Sequence, residues 1–242
     1  MARYAVFSDV HGNLEAYKSF LDTIQKEDCS RNFCAGDIVG YGADPRECIL
    51  LTRQLAPVVV CGNHDWGSVD LTSIEYFNDN AKQAVLWTAS ILGDDEKEYL
   101  KGLPLSYTDD ELTMVHGTLM RPESFDYILD FKTAYQMMKM MPTRMAFIGH
   151  SHVPGIFSLK DDRISYTAEP KLAISDDMSY LINVGSIGQP RDGDWRPSYC
   201  IWDKDQGTIE LKRIAYDVKK AQEKIIEAGL PEYLASRLSE GR

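Results

Sequence analysis

Short apolar runs punctuate the chain, and in its first half most of them are continuous rather than alternating. Residues 4–8 (YAVFS), 32–35 (NFCA), 58–61 (VVVC) and 144–148 (RMAFI) read as buried strands. Between the first two, Leu14, Tyr17, Phe20, Leu21 and Ile24 recur at helical spacing behind Asn13, a fitting N-cap. Residues 45–55 start with Pro45 in a position that a first helical turn accepts. Strand and helix alternate three times in this way, the pattern of parallel strands joined by helical crossovers. Residues 71–101 read as a helical layer over the sheet, and 106–109 and 112–115 as two strands. Residues 118–141 read as a loop followed by a helix through Phe131, Tyr135, Met138 and Met141, whose methionines fill core. Beyond residue 152 the period drops to two. Runs at 156–159 and 164–167 flank Asp161-Asp162, and runs at 198–202 and 208–214 flank residues 205–207, both hairpin signals. With strands at 172–175 and 180–184, this half reads as antiparallel. A helix over 218–228, closed by Gly229 with Pro231 beyond, and a short helix over 232–238 finish the pattern.

The polar residues that end these runs carry the chemistry. The five histidines are His11, His64, His116, His150 and His152, and each lies at or just past the end of an apolar run. On an extended backbone, residues two apart point the same way, so His150 and His152 are expected side by side at the mouth of a strand. Asp9 and His11 repeat that spacing, Asp37 sits among glycines, and Asn63 and His64 close the third strand. Taken singly, each has a structural explanation as a cap or turn residue. Together, at the ends of strands running the same way, they converge on one edge of a sheet, where open α/β sheets place ligands.

Imidazoles and carboxylates without thiolates suit Mn, Fe or Zn and disfavour calcium or an iron–sulfur cluster. The ligands outnumber those of one four-coordinate zinc, so two divalent or trivalent ions are expected, with Asp37 the simplest shared carboxylate. Two divalent ions, two carboxylates and a bridging hydroxide leave about one positive charge, enough to attract a phosphate. His64, beside Asn63 but not needed as a ligand, is the candidate to protonate a leaving oxygen, with Asp65 to orient it.

Composition narrows the partners. With 26 basic and 37 acidic residues the net charge is −11, and no basic stretch offers itself to nucleic acid. A small anion in a locally positive pocket remains compatible with this balance. The five cysteines form no CxxC pair and read as buried thiols of a reducing compartment. No signal segment or membrane-length run is evident, so a cytoplasmic protein without a membrane partner is expected. The 242 residues read as one domain, with 217–242 a helical extension packed on it.

Asp9-x-His11, Gly36-Asp37, Gly62-Asn63-His64-Asp65, His116-Gly117 and Gly149-His150-Ser151-His152 resemble, in order and spacing, the motifs of the calcineurin-like metallophosphoesterase superfamily, over roughly residues 4–214. The resemblance implies a four-layer α/β/β/α sandwich with mixed sheets. It implies one metal ion on Asp9, His11, Asp37 and His152 and a second on Asp37, Asn63, His116 and His150. It also implies a phosphatase or phosphodiesterase in which a metal-bridging hydroxide attacks phosphorus and His64 is the general acid. The pieces SDVHGNLEA, GDIVGYGADP and GSIGQPRDGD are similar to a bacterial branch of phosphoesterases and dinucleoside polyphosphatase-like hydrolases, in which Pro is commoner where this chain has Val184. The expected substrate is a small phosphorylated molecule or a nucleotide. The alternatives are a dinucleoside polyphosphate such as diadenosine tetraphosphate, a phosphoprotein, or, in another class, a catalytically silent scaffold of the same fold. Candidate substrate contacts are Asn63, Arg191, Tyr41 and Arg121, with Arg191 free either to bind phosphate or to pair with Asp192 or Asp194.

Overall fold

The computed structural model describes residues 2–242. Its first part is β1 (Arg3–Phe7), α1 (Leu14–Ile24), β2 (Arg31–Cys34), α2 (Pro45–Leu55) and β3 (Val58–Val59), close to the pattern expected. The Asn13 side chain accepts the Ala16 N–H at 3.1 Å, so α1 starts where the cap predicts. A short α3 (Asn63–Gly67) comes next, and the helical stretch expected over 71–101 is instead two separate helices, α4 (Asp79–Ile91) and α5 (Asp94–Lys101). Asn78 caps α4, accepting the Ala81 N–H at 3.0 Å, and extended backbone at Leu92 and Gly93 separates α4 from α5. The chain continues through β4 (Ser106–Thr108), β5 (Thr113–Val115), α6 (Phe131–Met140), β6 (Met145–Ile148), β7 (Gly155–Lys160) and β8 (Arg163–Thr167). It closes with β9 (Lys171–Ala173), β10 (Ser179–Asn183), β11 (Ser198–Asp203), β12 (Thr208–Arg213), α7 (Val218–Glu227) and α8 (Glu232–Ser236).

These strands form two six-stranded sheets, ordered β3-β2-β1-β11-β12-β9 and β4-β5-β6-β10-β7-β8. The expected split into a parallel first half and an antiparallel second half is only partly right. β10 runs parallel to β6, and β11, β12 and β9 return to the first sheet, with β11 antiparallel to β1. Alternation within single strands explains why the runs are apolar throughout. Tyr4 and Val6 of β1 face the second sheet among Phe33, Phe147, Ile182 and Trp202, whereas Ala5 and Phe7 face α1. In β6, Met145 and Phe147 enter the same inter-sheet core, while Ala146 and Ile148 face Met137 and Met138 of α6. Both faces of each central strand are thus buried, which makes the α/β/β/α sandwich. Truncating Phe147, fully buried between the sheets, would cost about 3–5 kcal/mol.

α7 packs on α1, where Lys224 reaches Glu15 at 2.8 Å and Asp44 at 2.9 Å. Among the described residues no helix is long and apolar enough to cross a membrane.

Candidate metal centre

The candidate ligands leave the strands through tight left-handed turns. Asp9, His11, Asp37, His150 and His152 all have φ between 50° and 66°, a region that side chains other than glycine rarely adopt. This overturns the geometry expected for the histidine pair. β6 ends at Ile148, so His150 and His152 do not lie on an extended strand, and their imidazoles serve different clusters. The single sheet edge is corrected too. Asp9, Asp37 and Asn63 follow strands of the first sheet, whereas His116, His150 and His152 follow strands of the second. The centre lies across both sheets.

Three groups form there, Asp9/His11/His152, Asp37/His116/His150 and His11/Asp37/His64, with ligand atoms in each within 4.8 Å of one another. His152 Nε2 is 3.1 Å from Asp9 Oδ1, and His116 Nε2 is 3.2 Å from Asp37 Oδ2. Asp37 Oδ2 is also 3.6 Å from His11 Nε2, so this carboxylate stands between the groups. Three rings are oriented from behind by backbone carbonyls. His11 Nδ1 contacts Val39 O at 3.0 Å, His116 Nδ1 contacts Ala35 O at 2.8 Å, and His152 Nδ1 contacts Gln189 O at 2.5 Å. A carbonyl can only accept, so each Nδ1 carries the hydrogen and each Nε2 is turned inward, as in metal-ligating imidazoles. The fit of Gly62 is equally close: a Cβ there would run into the Asp37 carboxylate.

The donor set fits cations. Asp9 Oδ1, Asn63 Oδ1, His116 Nε2 and His150 Nε2 are buried and, among the described residues, without a hydrogen-bond partner. His11 Nε2 and His152 Nε2 face each other at 3.1 Å, which is repulsive unless a positive charge lies between them. Burial opposes ionisation of Asp9 and Asp37, yet the surrounding imidazoles, His152 foremost for Asp9 and His116 for Asp37, hold both carboxyls well below their usual range. Conversely, His116 is held up at about 9 by Asp37 and Asp9 despite its burial. Burial and the nearby His116 push His150 down to about 3. The cluster favours positive charge between its carboxylates.

His64 lies in the first turn of α3, with its backbone N–H on Asp37 Oδ1 at 2.9 Å. Its Nδ1 is buried close to Gly40, and His64 lines a cavity of about 440 Å³ with Asn63, Tyr41, Phe77, Phe125, Tyr127 and His150. Asp65 does not orient this ring. Its carboxylate accepts the N–H groups of Asp37 (2.8 Å), Ile38 (2.8 Å), Val39 (3.2 Å) and Gly62 (3.0 Å), binding the second ligand loop to the third. Burial and the adjacent Asp37 charge push Asp65 up to about 7 against these four donors.

The three weaker candidates separate. Tyr41 is buried, with its ring 4.4 Å from that of His64 and 4.6 Å from that of His11. Arg191 pairs with neither Asp192 nor Asp194, which are engaged by Arg213 and Arg196. Its guanidinium donates to Gln189 Oε1 at 2.9 Å and to the Tyr41 hydroxyl at 3.3 Å. Arg121 is exposed and reaches Asp126 at 3.6 Å, outside the residues that line the cavity. Sequence reasoning missed Tyr127, which stacks on His150 with ring centres 3.8 Å apart, and Phe77, 5.1 Å from His64. Neither lies in a motif; only the aromatic content of the loops hinted at them.

A four-layer sandwich with a buried Asp/His cluster at the strand ends is the build of a metal-dependent phosphoester hydrolase. The chain belongs to the calcineurin-like phosphoesterase superfamily, whose domain matches residues 3–207. It is 40% identical over 242 residues to an uncharacterized protein of Methanocaldococcus jannaschii, covering 98% of each chain. Among solved structures, a metallophosphoesterase from Sphaerobacter thermophilus is 36% identical, with a TM-score of 0.86 over 100% of this chain and 99% of that one. A hypothetical protein from Pyrococcus horikoshii shares the fold at 22% identity, with a TM-score of 0.81 over the same shares. Members of this superfamily typically hold a dinuclear metal centre, and this chain has the Asp/His groups for one.

Proposed function

We propose that the chain hydrolyses phosphoric esters of a small molecule or nucleotide with two transition-metal ions, Mn, Fe or Zn. Asp9, His11, Asp37 and His152 would hold one ion, and Asp37, Asn63, His116 and His150 the other. The observation that carries this reading is the set of buried, partnerless ligand atoms on both sides of Asp37. Bound there, the ions supply an acidified water and neutralise the charge that develops in an in-line displacement at phosphorus.

The chain's own residues supply the rest. The carbonyls of Ala35, Val39 and Gln189 hold three imidazoles in one tautomer, so the ligand field is set before substrate arrives. His64 lines the cavity beside Asp37 and would donate a proton to the leaving oxygen. Burial holds its pKa well below the usual range, so the ring is a ready donor once charged, and the negative charge of a phosphate beside it favours loading that proton. Arg191, fixed by Gln189 and by Tyr41, which lines the cavity, would reach substrate oxygens from behind Tyr41.

Loaded with Mn, the protein is expected to turn over p-nitrophenyl phosphate or its bis ester. Asp37→Asn should lower kcat about a thousandfold or more. His64→Ala should keep both ions and lose about a hundredfold or more on an alkyl ester, but clearly less on the p-nitrophenyl ester, whose leaving group needs no proton. Equal losses on the two esters would remove His64 from the acid role.

A further inference from the structure

The loop that carries Tyr127 and the turn that carries His150 border two cavities. Tyr127 and His150, stacked with ring centres 3.8 Å apart, line the metal cavity. Their chain neighbours Ile128 and Ser151 line a second cavity of about 230 Å³. Two separate stretches of chain thus pass from one cavity to the other within a single residue, and the stacked pair is their common edge. Tyr127 is half-exposed, so this edge is a rim open to solvent rather than a closed partition.

The second cavity differs in chemistry from the first. Leu129, Phe131, Val153 and Tyr166 surround it, and all four are exposed, from 37% for Val153 to 74% for Leu129. Ile148 and Phe157 also line it. Large apolar side chains gathered round one opening form the kind of exposed patch that marks a binding site. The polar lining is mostly engaged with the protein itself. The Asn183 amide donates to Gly149 O at 2.7 Å and to Ser151 Oγ at 2.9 Å, and it accepts the Gly185 N–H at 3.0 Å. Among the described residues that line the cavity Asp130 alone is charged, and its carboxylate caps α6 by accepting the Thr133 N–H at 2.7 Å. With a carboxylate and no cation in its lining, the cavity disfavours a second phosphate or any other anionic group. An apolar cavity of about 150 Å³ already accepts benzene, so this one has room for a ring and part of its linker.

We propose that this cavity receives the organic part of the substrate, an uncharged aryl or branched alkyl group joined to the phosphate by a short linker that crosses the rim at Tyr127. This deepens the hydrolase reading and rests on it. The phosphate sits at the Asp/His groups, and the hydrocarbon sits beyond the rim, flanked by Leu129 and Val153. The turn from His150 to His152 serves both subsites, its imidazoles belonging to the metal groups and Ser151 to the hydrocarbon cavity. The shared rim favours this occupant over a separate partner, because a group tethered to a phosphate held at the metals reaches the cavity at a high effective concentration.

The test is calorimetric and does not depend on turnover. Mn-loaded protein is titrated with 4-phenylbutylphosphonate and with methylphosphonate, whose P–C bonds are not hydrolysed. The phenylbutyl compound should bind about tenfold more tightly, through burial of its ring. Leu129→Asn and Val153→Asn, both at exposed positions, should each bring that ratio down severalfold toward one, with circular dichroism showing the variants folded. A ratio near one in the wild type overturns the proposal. So does a ratio that falls in Tyr76→Asn, beside the metal cavity, but not in Leu129→Asn or Val153→Asn, because the hydrocarbon then lies in the metal cavity. A wild-type dimer that Leu129→Asn turns into a monomer on size exclusion overturns it as well, because a second copy then covers this face. Failure of the wild type to turn over p-nitrophenyl phosphate would instead remove the hydrolase reading, with the ratio still measured.

Discussion

The metal-facing floor of the site differs in build from the wall above it. On the floor, Asp9, His11, Asp37, His116 and His152 are at most 1% exposed, and backbone groups from neighbouring loops hold their side chains. On the wall, Tyr76 is 93% exposed and Tyr127 47%, and both belong to loops that cross between elements. A floor residue is specified by both sheets at once, and several ligands sit in left-handed turns that the surrounding structure must enforce. A wall residue is specified by its own loop and a few contacts, as Tyr127 is by its stack on His150. Chemistry and selectivity are therefore separable here: the wall can change its contacts while the floor keeps its Asp/His groups.

Substitutions on the two sides should behave accordingly. Asp65→Asn is the larger. It turns an amide hydrogen toward backbone donors that now share a carboxylate, so a loss of about 2–4 kcal/mol in stability is expected. Thermal melts with and without Mn would show it, with metal recovering part of the loss by binding the folded state. A melt within a degree of wild type would mean that Asp65 does not bind the loops together. Tyr127→Ala is the smaller. It removes the ring stacked on His150, worth about 0.5–1.5 kcal/mol, and should raise KM several-fold while the metal content stays the same. Loss of an ion in Tyr127→Ala would erase the distinction between floor and wall.

The sequence is most informative where local physics decides. Asn13, Asp161-Asp162 and Gly229 announced a helix start, a hairpin turn and a helix end, and each lies where expected. The ligand motifs were legible because a histidine or aspartate just past an apolar run has few structural uses. What stayed hidden depends on distant chain. An apolar run declares a strand buried on both faces but does not say in which sheet, so the return of β11 and β12 to the first sheet and the parallel pairing of β10 with β6 were missed. The left-handed turns at His150 and His152 leave no mark in composition, and a reading based on strand alternation turned both rings the same way. Asp65 was taken as a partner of His64 because it is adjacent in sequence, whereas its donors come from residues 26–28 positions away and from Gly62. Arg191 was expected to bind phosphate or a neighbouring aspartate, and only the fold shows that both aspartates are engaged elsewhere.

The central claim is a dinuclear centre that drives phosphoester hydrolysis. The most direct measurement is a titration of metal-stripped protein with Mn, reading bound ions per chain by elemental analysis and p-nitrophenyl phosphate turnover on the same samples. The account predicts saturation at about two ions per chain, with turnover rising mainly as the second ion binds. A protein that stays metal-free, or that reaches full turnover with one ion, would contradict it.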